Sequence, residues 1–166
     1  MNLAHPLTSP MVVHSLENNT DVFRKREEHE PLLGPETPYL SAIGALMYLA
    51  NQTRPDIAFA VNLLARHSAT PTARHWNGVK HIFRYLHGTT DTGLFYPFGA
   101  NHELTGYADA GYLFDTDTAK SQTGYVFTIG GTAFSWKSVK QTLTATSSNH
   151  SEILALHEAS REAVSL

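Results

Sequence analysis

Leu104-Thr105-Gly106-Tyr107-Ala108-Asp109-Ala110-Gly111-Tyr112-Leu113 is the stretch in which the hydrophobic period of the chain becomes two. Thr105, Tyr107 and Asp109 fall on one side of such a strand and Gly106, Ala108 and Ala110 on the other. Working downstream, Thr123 to Ile129 and Thr132 to Ser138 read as two further strands, with Gly130-Gly131 as a two-residue hairpin between them. Ser147 to Leu166 then returns to a helical period, with Ile153, Leu156, Ala159 (or Ser160) and Ala163 on one stripe.

Upstream of the strands the period is helical three times. Ile43, Leu46, Met47 and Ala50 share one face. Ile57, Ala60, Val61 and Leu64 share another, after a Thr53-Arg54-Pro55-Asp56 start in which proline suits the first turn. The third pattern runs from about Pro71 to Leu86, carries Trp76, Val79, Phe83 and Leu86, and stops at Gly88. Residues 1–37 have little periodicity and are rich in Pro, Glu, Asn and Ser, which reads as an extended lead-in. The expected fold class is α+β: a helical unit over residues 38–90, then a β-β-β-α unit over residues 103–166.

The 166 residues are 42% hydrophobic and 16% charged, a balance that can bury enough apolar surface to offset the entropy of ordering the chain. With no Cys, a disulfide framework, thiolate zinc and thiol catalysis are excluded. No stretch reaches the length of a membrane span, and the Met1-Asn2-Leu3-Ala4-His5 start lacks a basic region before an apolar run. The expectation is an intracellular protein without a membrane partner. The net charge of −3 divides into −3 over residues 1–40, +4 over residues 41–90 and −4 over residues 91–166. A basic middle between acidic ends points to phosphate contact, and Lys80, Arg84 and His87 are spaced to share one helix face. An ordinary solvated face has the same spacing.

Two carboxylates interrupt ordered, half-apolar surroundings: Asp109 in the first strand and Glu152 at the head of the last helix. A strand carboxylate facing a helix-start carboxylate can offer hard oxygen ligands to Mg²⁺. A purely structural reading stands beside this one. Asp109 can end a strand, and Asn149 with Glu152 has capping-box spacing. Asp115 and Asp117 resemble a turn. Asn-x-Ser/Thr triplets begin at Asn18, Asn51 and Asn149 and matter only in a secreted chain.

Six ordered blocks carry a resemblance. They are Tyr39 to Leu49 (YLSAIGALMYL), Thr53 to Ala58 (TRPDIA), the Arg74-His75-Trp76 to Arg84-Tyr85-Leu86 helix, Gly106 to Ala110 (GYADA), Ser121 to Phe127 (SQTGYVF) and Ser147 to Glu152 (SSNHSE). Together they resemble the end of a copia-type retrotransposon Pol polyprotein, where the reverse transcriptase passes into its ribonuclease H domain. The resemblance implies a thumb/connection-like helical unit and a truncated ribonuclease H-like unit acting on RNA/DNA hybrids. It implies that Asp109 and Glu152 are remnants of a catalytic Mg²⁺ site. The family's third catalytic Asp has no counterpart before Leu166, nor do the paired aspartates of the polymerase, so the chain is expected to be inactive with at most weak Mg²⁺ binding.

Two alternatives accompany that expectation. One is a domesticated module binding nucleic acid or protein, through Lys80, Arg84 and His87 or through exposed apolar surface. The other is a secreted oomycete effector of the RxLR class, acting on a host protein in the plant cytoplasm or nucleus and modulating cell death. Arg26-Glu27-Glu28 loosely echoes the acidic motif that follows RxLR, but no RxLR tetrapeptide occurs. Arg84-Tyr85-Leu86-His87 comes within one residue of it, inside an amphipathic helix.

Overall fold

The computed structural model describes residues 5–11, 22–99, 103–115 and 118–166. The fold is α+β, and the chain divides into two compact units, residues 1–93 and 94–166.

The first unit contains α1 (Tyr39–Gln52), a 3-10 turn (Pro55–Ile57), α2 (Ala58–Ala65) and α3 (Ala73–Gly88). Its core joins Ile43, Leu46 and Ala50 of α1 to Ile57, Ala60, Val61 and Leu64 and to Val79 and Ile82 of α3. Two apolar stripes differ from the sequence reading. In α1, Tyr39 takes the inward place expected of Met47, because its ring is buried and its hydroxyl donates to the Leu64 carbonyl at 2.8 Å. In α3 the fully inward residues are His75, Gly78, Val79, Ile82 and Tyr85, while Trp76, Phe83 and Leu86 flank them half-buried. Thr72 and His75 form a reciprocal capping box that fixes the start of this helix. The described residues ahead of α1 contain no helix or strand, yet Leu7, Met11, Val22, Phe23 and Leu33 bury apolar surface, so this lead-in is packed onto the helices rather than trailing from them.

Arg54 and Asp56 lock the joint between α1 and α2. The guanidinium donates from Nε to Asp56 Oδ1 at 3.0 Å and from Nη2 to Oδ2 at 2.8 Å, and it also reaches the carbonyl and hydroxyl of Thr89 beyond α3. Tyr85 donates its hydroxyl to Asp56 Oδ2 at 2.7 Å, and its ring lies under the Arg54 guanidinium, 5.5 Å from ring centroid to cation. Burial alone would raise the Asp56 carboxyl, but the bonds from Arg54 and Tyr85 outweigh it and hold the group below its ordinary value.

The second unit is a three-stranded antiparallel sheet in the order β1 (Leu104–Asp115), β2 (Lys120–Ile129), β3 (Thr132–Lys140), followed by α4 (Ser148–Ser165). Gly130 and Gly131 turn the β2–β3 hairpin with φ of 58° and 82°, the left-handed pair that two-residue hairpins require. Between Gly111 and Asp115 β1 advances four residues while β2 advances two, with Leu113 at φ 49°. The sequence reading placed Ile153 and Leu156 of α4 inward. They are 56% and 61% exposed, and the buried stripe is Ser151, Ala155 and Ala159. From this stripe Ala159 packs with Tyr125 and Phe127 of β2 and Phe134 of β3. Ser135 donates to Glu162 Oε1 at 2.7 Å on the same face.

Asp56→Asn is expected to lower the stability of the helical unit by about 1–3 kcal/mol in urea unfolding at pH 7, because it leaves the buried Arg54 cation underpaired. The folded carboxyl titrates below its unfolded value of 3.8, so the wild-type contribution is present above that pH and is lost as pH falls through the folded value, a dependence the Asn variant lacks. Gly106→Ala is expected to cost the sheet unit about 1–3 kcal/mol, since its Cβ would stand 2.5 Å from Phe127 Cε1. Thermal unfolding followed by near-ultraviolet circular dichroism checks both.

Candidate functional site

The register of the sheet fixes where Asp109 points. Asp109 opposes Gly124 on β2, which opposes Ser138 on β3, and Tyr107, Val126 and Trp136 form the neighbouring row. Side chains alternate along a strand, so these rows share the face opposite the one that carries Tyr125, Phe127 and α4. The Asp109 side chain is exposed there.

Glu152 is the fifth residue of α4, just past its first turn, and is also exposed. The capping-box reading of Asn149 and Glu152 is not the one the helix adopts. Ser147 is the cap and accepts the His150 N–H at 3.1 Å, while the His150 ring accepts from the Thr146 N–H at 3.2 Å. Glu152 is thereby relieved of a capping duty. Among the described residues no group of three or more His, Asp or Glu is placed to hold a metal ion.

Asp115 has a structural role. Its Oδ2 accepts from Lys140 Nζ at 2.8 Å across the sheet and its Oδ1 accepts the Thr118 N–H at 3.2 Å. Burial raises the carboxyl, but these bonds hold it below its ordinary value. Asp117 and Asn18 lie outside the described residues; Asn51 and Asn149 are exposed on helices.

Lys80, Arg84 and His87 do share one face of α3. Lys80 and Arg84 are half-buried and His87 is exposed in the last turn, where a cation complements the helix dipole. Residues 5–11 lie along that helix: Arg84 Nε donates to the His5 carbonyl at 3.1 Å, and the His81 ring bonds the Ser9 carbonyl at 3.0 Å. Part of the basic face is therefore engaged within the chain.

Two polar clusters were not singled out from the sequence. The Arg54–Asp56–Tyr85 network was hidden inside the TRPD string, where the Arg-x-Asp spacing was the available sign. The other joins His67 and His75, and Thr72-x-x-His75 capping spacing was its only mark. No described helix is long and apolar enough to cross a membrane.

Comparison with known proteins places these features in a wider set. The chain is 39% identical over 164 residues to the retrovirus-related Pol polyprotein from transposon TNT 1-94 of Nicotiana tabacum, covering 99% of this chain and 12% of that one. It is 36% identical over 165 residues to the corresponding polyprotein from transposon RE1 of Arabidopsis thaliana, covering 98% of this chain and 10% of that one. It is also 43% identical over 127 residues to secreted RxLR effector protein 161 of Plasmopara viticola, covering 76% of this chain and 89% of that protein. The chain thus spans about a tenth of the length of the Pol polyproteins it matches. No protein-family model and no solved structure matches it.

Asp109→Asn and Glu152→Gln are each expected to change folding stability by less than about 1 kcal/mol, because neither exposed carboxylate supports the core. Chemical denaturation of both variants checks this; a large loss would assign the carboxylates to the fold.

Proposed function

The chain belongs to the copia-type retrotransposon Pol polyprotein family, and from that premise we propose that it is a retroelement-derived fragment without catalytic activity as it stands. The observation that carries this reading is near-complete alignment to one short stretch of Pol. In this reading residues 38–90 correspond to the thumb and connection of the reverse transcriptase. Residues 103–166 correspond to the opening β-β-β-α of a ribonuclease H-like domain. The order of helices, antiparallel strands and a helix over one sheet face supports the assignment.

Ancestrally, Asp109 and Glu152 would hold Mg²⁺ for hydrolysis of the RNA strand of an RNA/DNA hybrid. A bound divalent cation supplies an activated water and stabilises the leaving oxygen. This chain's own contribution is two solvent-exposed carboxylates, one on β1 and one on α4, and displacements of about an ångström cost orders of magnitude in rate. Contact with nucleic acid through Lys80, Arg84 and His87 is the part of the ancestral activity that a fragment can retain, and it would weaken steeply with salt.

A second reading is favoured by one observation, the likeness to a short protein named as a secreted RxLR effector, which this chain covers almost throughout. In that reading the fragment acts on a host protein in plant cells. Expression of a tagged copy in leaf, with and without a cell-death elicitor, separates the two: altered cell death supports the effector reading, and an unchanged response supports the inert fragment.

Purified protein incubated with a labelled RNA/DNA hybrid and Mg²⁺ or Mn²⁺ is expected to leave the RNA strand intact. Cation-dependent cleavage that disappears in Asp109→Asn would overturn the proposal.

A further inference from the structure

His67, in the turn after α2, and His75, in the first turn of α3, stack face to face with ring centroids 4.1 Å apart and planes 3° apart. Both rings hold one irregular segment through consecutive carbonyls: His67 Nε2 bonds Phe23 O and His75 Nε2 bonds Arg24 O, each at 2.8 Å. Beside them Arg74 grips Glu30 of the same segment through Nε at 3.1 Å and Nη2 at 2.7 Å, and also reaches the Lys25 carbonyl. The Leu33 N–H donates to Pro71 O at 2.8 Å. Three of these residues, His67, His75 and Glu30, are titratable in the acid range.

The proton on His75 can be assigned from its partners. Its Nδ1 accepts the Thr72 N–H at 3.0 Å, so the ring hydrogen is on Nε2 and donates to the Arg24 carbonyl. The residue is 0% exposed. A second proton can enter only at Nδ1, where the Thr72 N–H already points. It would break the capping box of α3 and place a cation in a buried stack against His67 and near Arg74. The other charges facing the stack are on the segment itself: Glu30, bound to Arg74, and Arg24, whose guanidinium pairs with Glu27.

We propose that the His67–His75 stack and the Arg74–Glu30 pair form an acid-sensitive latch, which holds residues 22–33 on the α2–α3 turn near neutral pH and releases them on acidification while α1 to α3 stay folded. The helices keep their own apolar core of Ile43, Leu46, Ile57, Val61, Leu64, Val79 and Ile82. Release uncovers the surface over Gly78, where a Cβ would stand 2.9 Å from Leu64 Cδ2 and 3.3 Å from Val22 Cβ, and it frees Val22 and Phe23.

The direction follows from proton counting. Burial, reinforced by His67 and Arg74, holds the His75 imidazole down at about 4, although its bond to the Arg24 backbone pulls the other way. In the released segment His75 titrates near its ordinary 6.5. The latched form therefore binds fewer protons, and each unit of acidification between about 6.5 and about 4 favours release about tenfold. Glu30 adds to this below its ordinary 4.5: burial raises its carboxyl, but bonds from the Glu27 N–H and Arg74 hold it lower, so its contribution is lost as pH falls further.

Amide hydrogen exchange of the full chain, corrected for intrinsic rates and read by mass spectrometry, tests the latch alongside far-ultraviolet circular dichroism. Between pH 6.5 and 4.5 the amides of residues 24–33 are expected to lose about 40-fold in protection with the helical signal unchanged. His75→Gln can accept from Thr72 and donate to Arg24 without titrating, and should flatten that dependence. Unchanged protection, protection lost only with the helical signal, or a His75→Gln variant with the wild-type pH profile would each overturn the proposal. Should that variant fail to fold, the His75 ring signals of the wild type decide by nuclear magnetic resonance: a ring still neutral at pH 5.5 supports the latch, and titration near 6.5 refutes it.

Discussion

The guanidinium of Arg54 is the constraint around which the helical unit is arranged. It sits almost fully buried at the joint between α1 and α2 and satisfies its donors on Asp56 two residues ahead and on Thr89 beyond the end of α3. A buried cation tolerates few geometries, because each unpaired donor costs about 1–3 kcal/mol. The pairing therefore sets the angle at which the chain enters α2 and fixes the point where α3 ends. Tyr85 closes the arrangement from α3 by bonding Asp56 and lying against the guanidinium. Pro55 between the two charged residues starts the intervening 3-10 turn in the backbone conformation that lets Arg54 and Asp56 meet.

In the sheet unit the corresponding constraint is a close approach. Ala159 of α4 packs against the aromatic pair Tyr125 and Phe127 of β2, whose ring centroids are 5.8 Å apart. Within this unit Ile153 and Leu156 are exposed, and α4 covers the sheet face opposite the one bearing Tyr107 and Asp109.

The candidate site was readable as residue types and only partly as geometry. Asp109 and Glu152 stood out because each interrupts half-apolar surroundings, and they lie on β1 and near the start of α4. Their roles relative to neighbours were not readable. The assignment of the α4 cap to Ser147 rather than Asn149 depends on where the incoming chain turns, and Asp115 owes its structural role to Lys140, 25 residues away. The histidine stack is harder still to anticipate, since it unites side chains from two helix boundaries with carbonyls more than 40 residues earlier.

Local pattern alone specified the element order, the hairpin at Gly130-Gly131 and the alternation that separates Asp109 from Ala108 and Ala110, because dihedral preference and period are properties of neighbouring residues. Which stripe of each helix turns inward was decided in three dimensions. Tyr39 displaced Met47 because its hydroxyl found a carbonyl on α2, and in α4 Ala155 is buried while Leu156 is exposed. Burial rewards the face that fits its partner, and the partner's shape is set by residues distant along the chain.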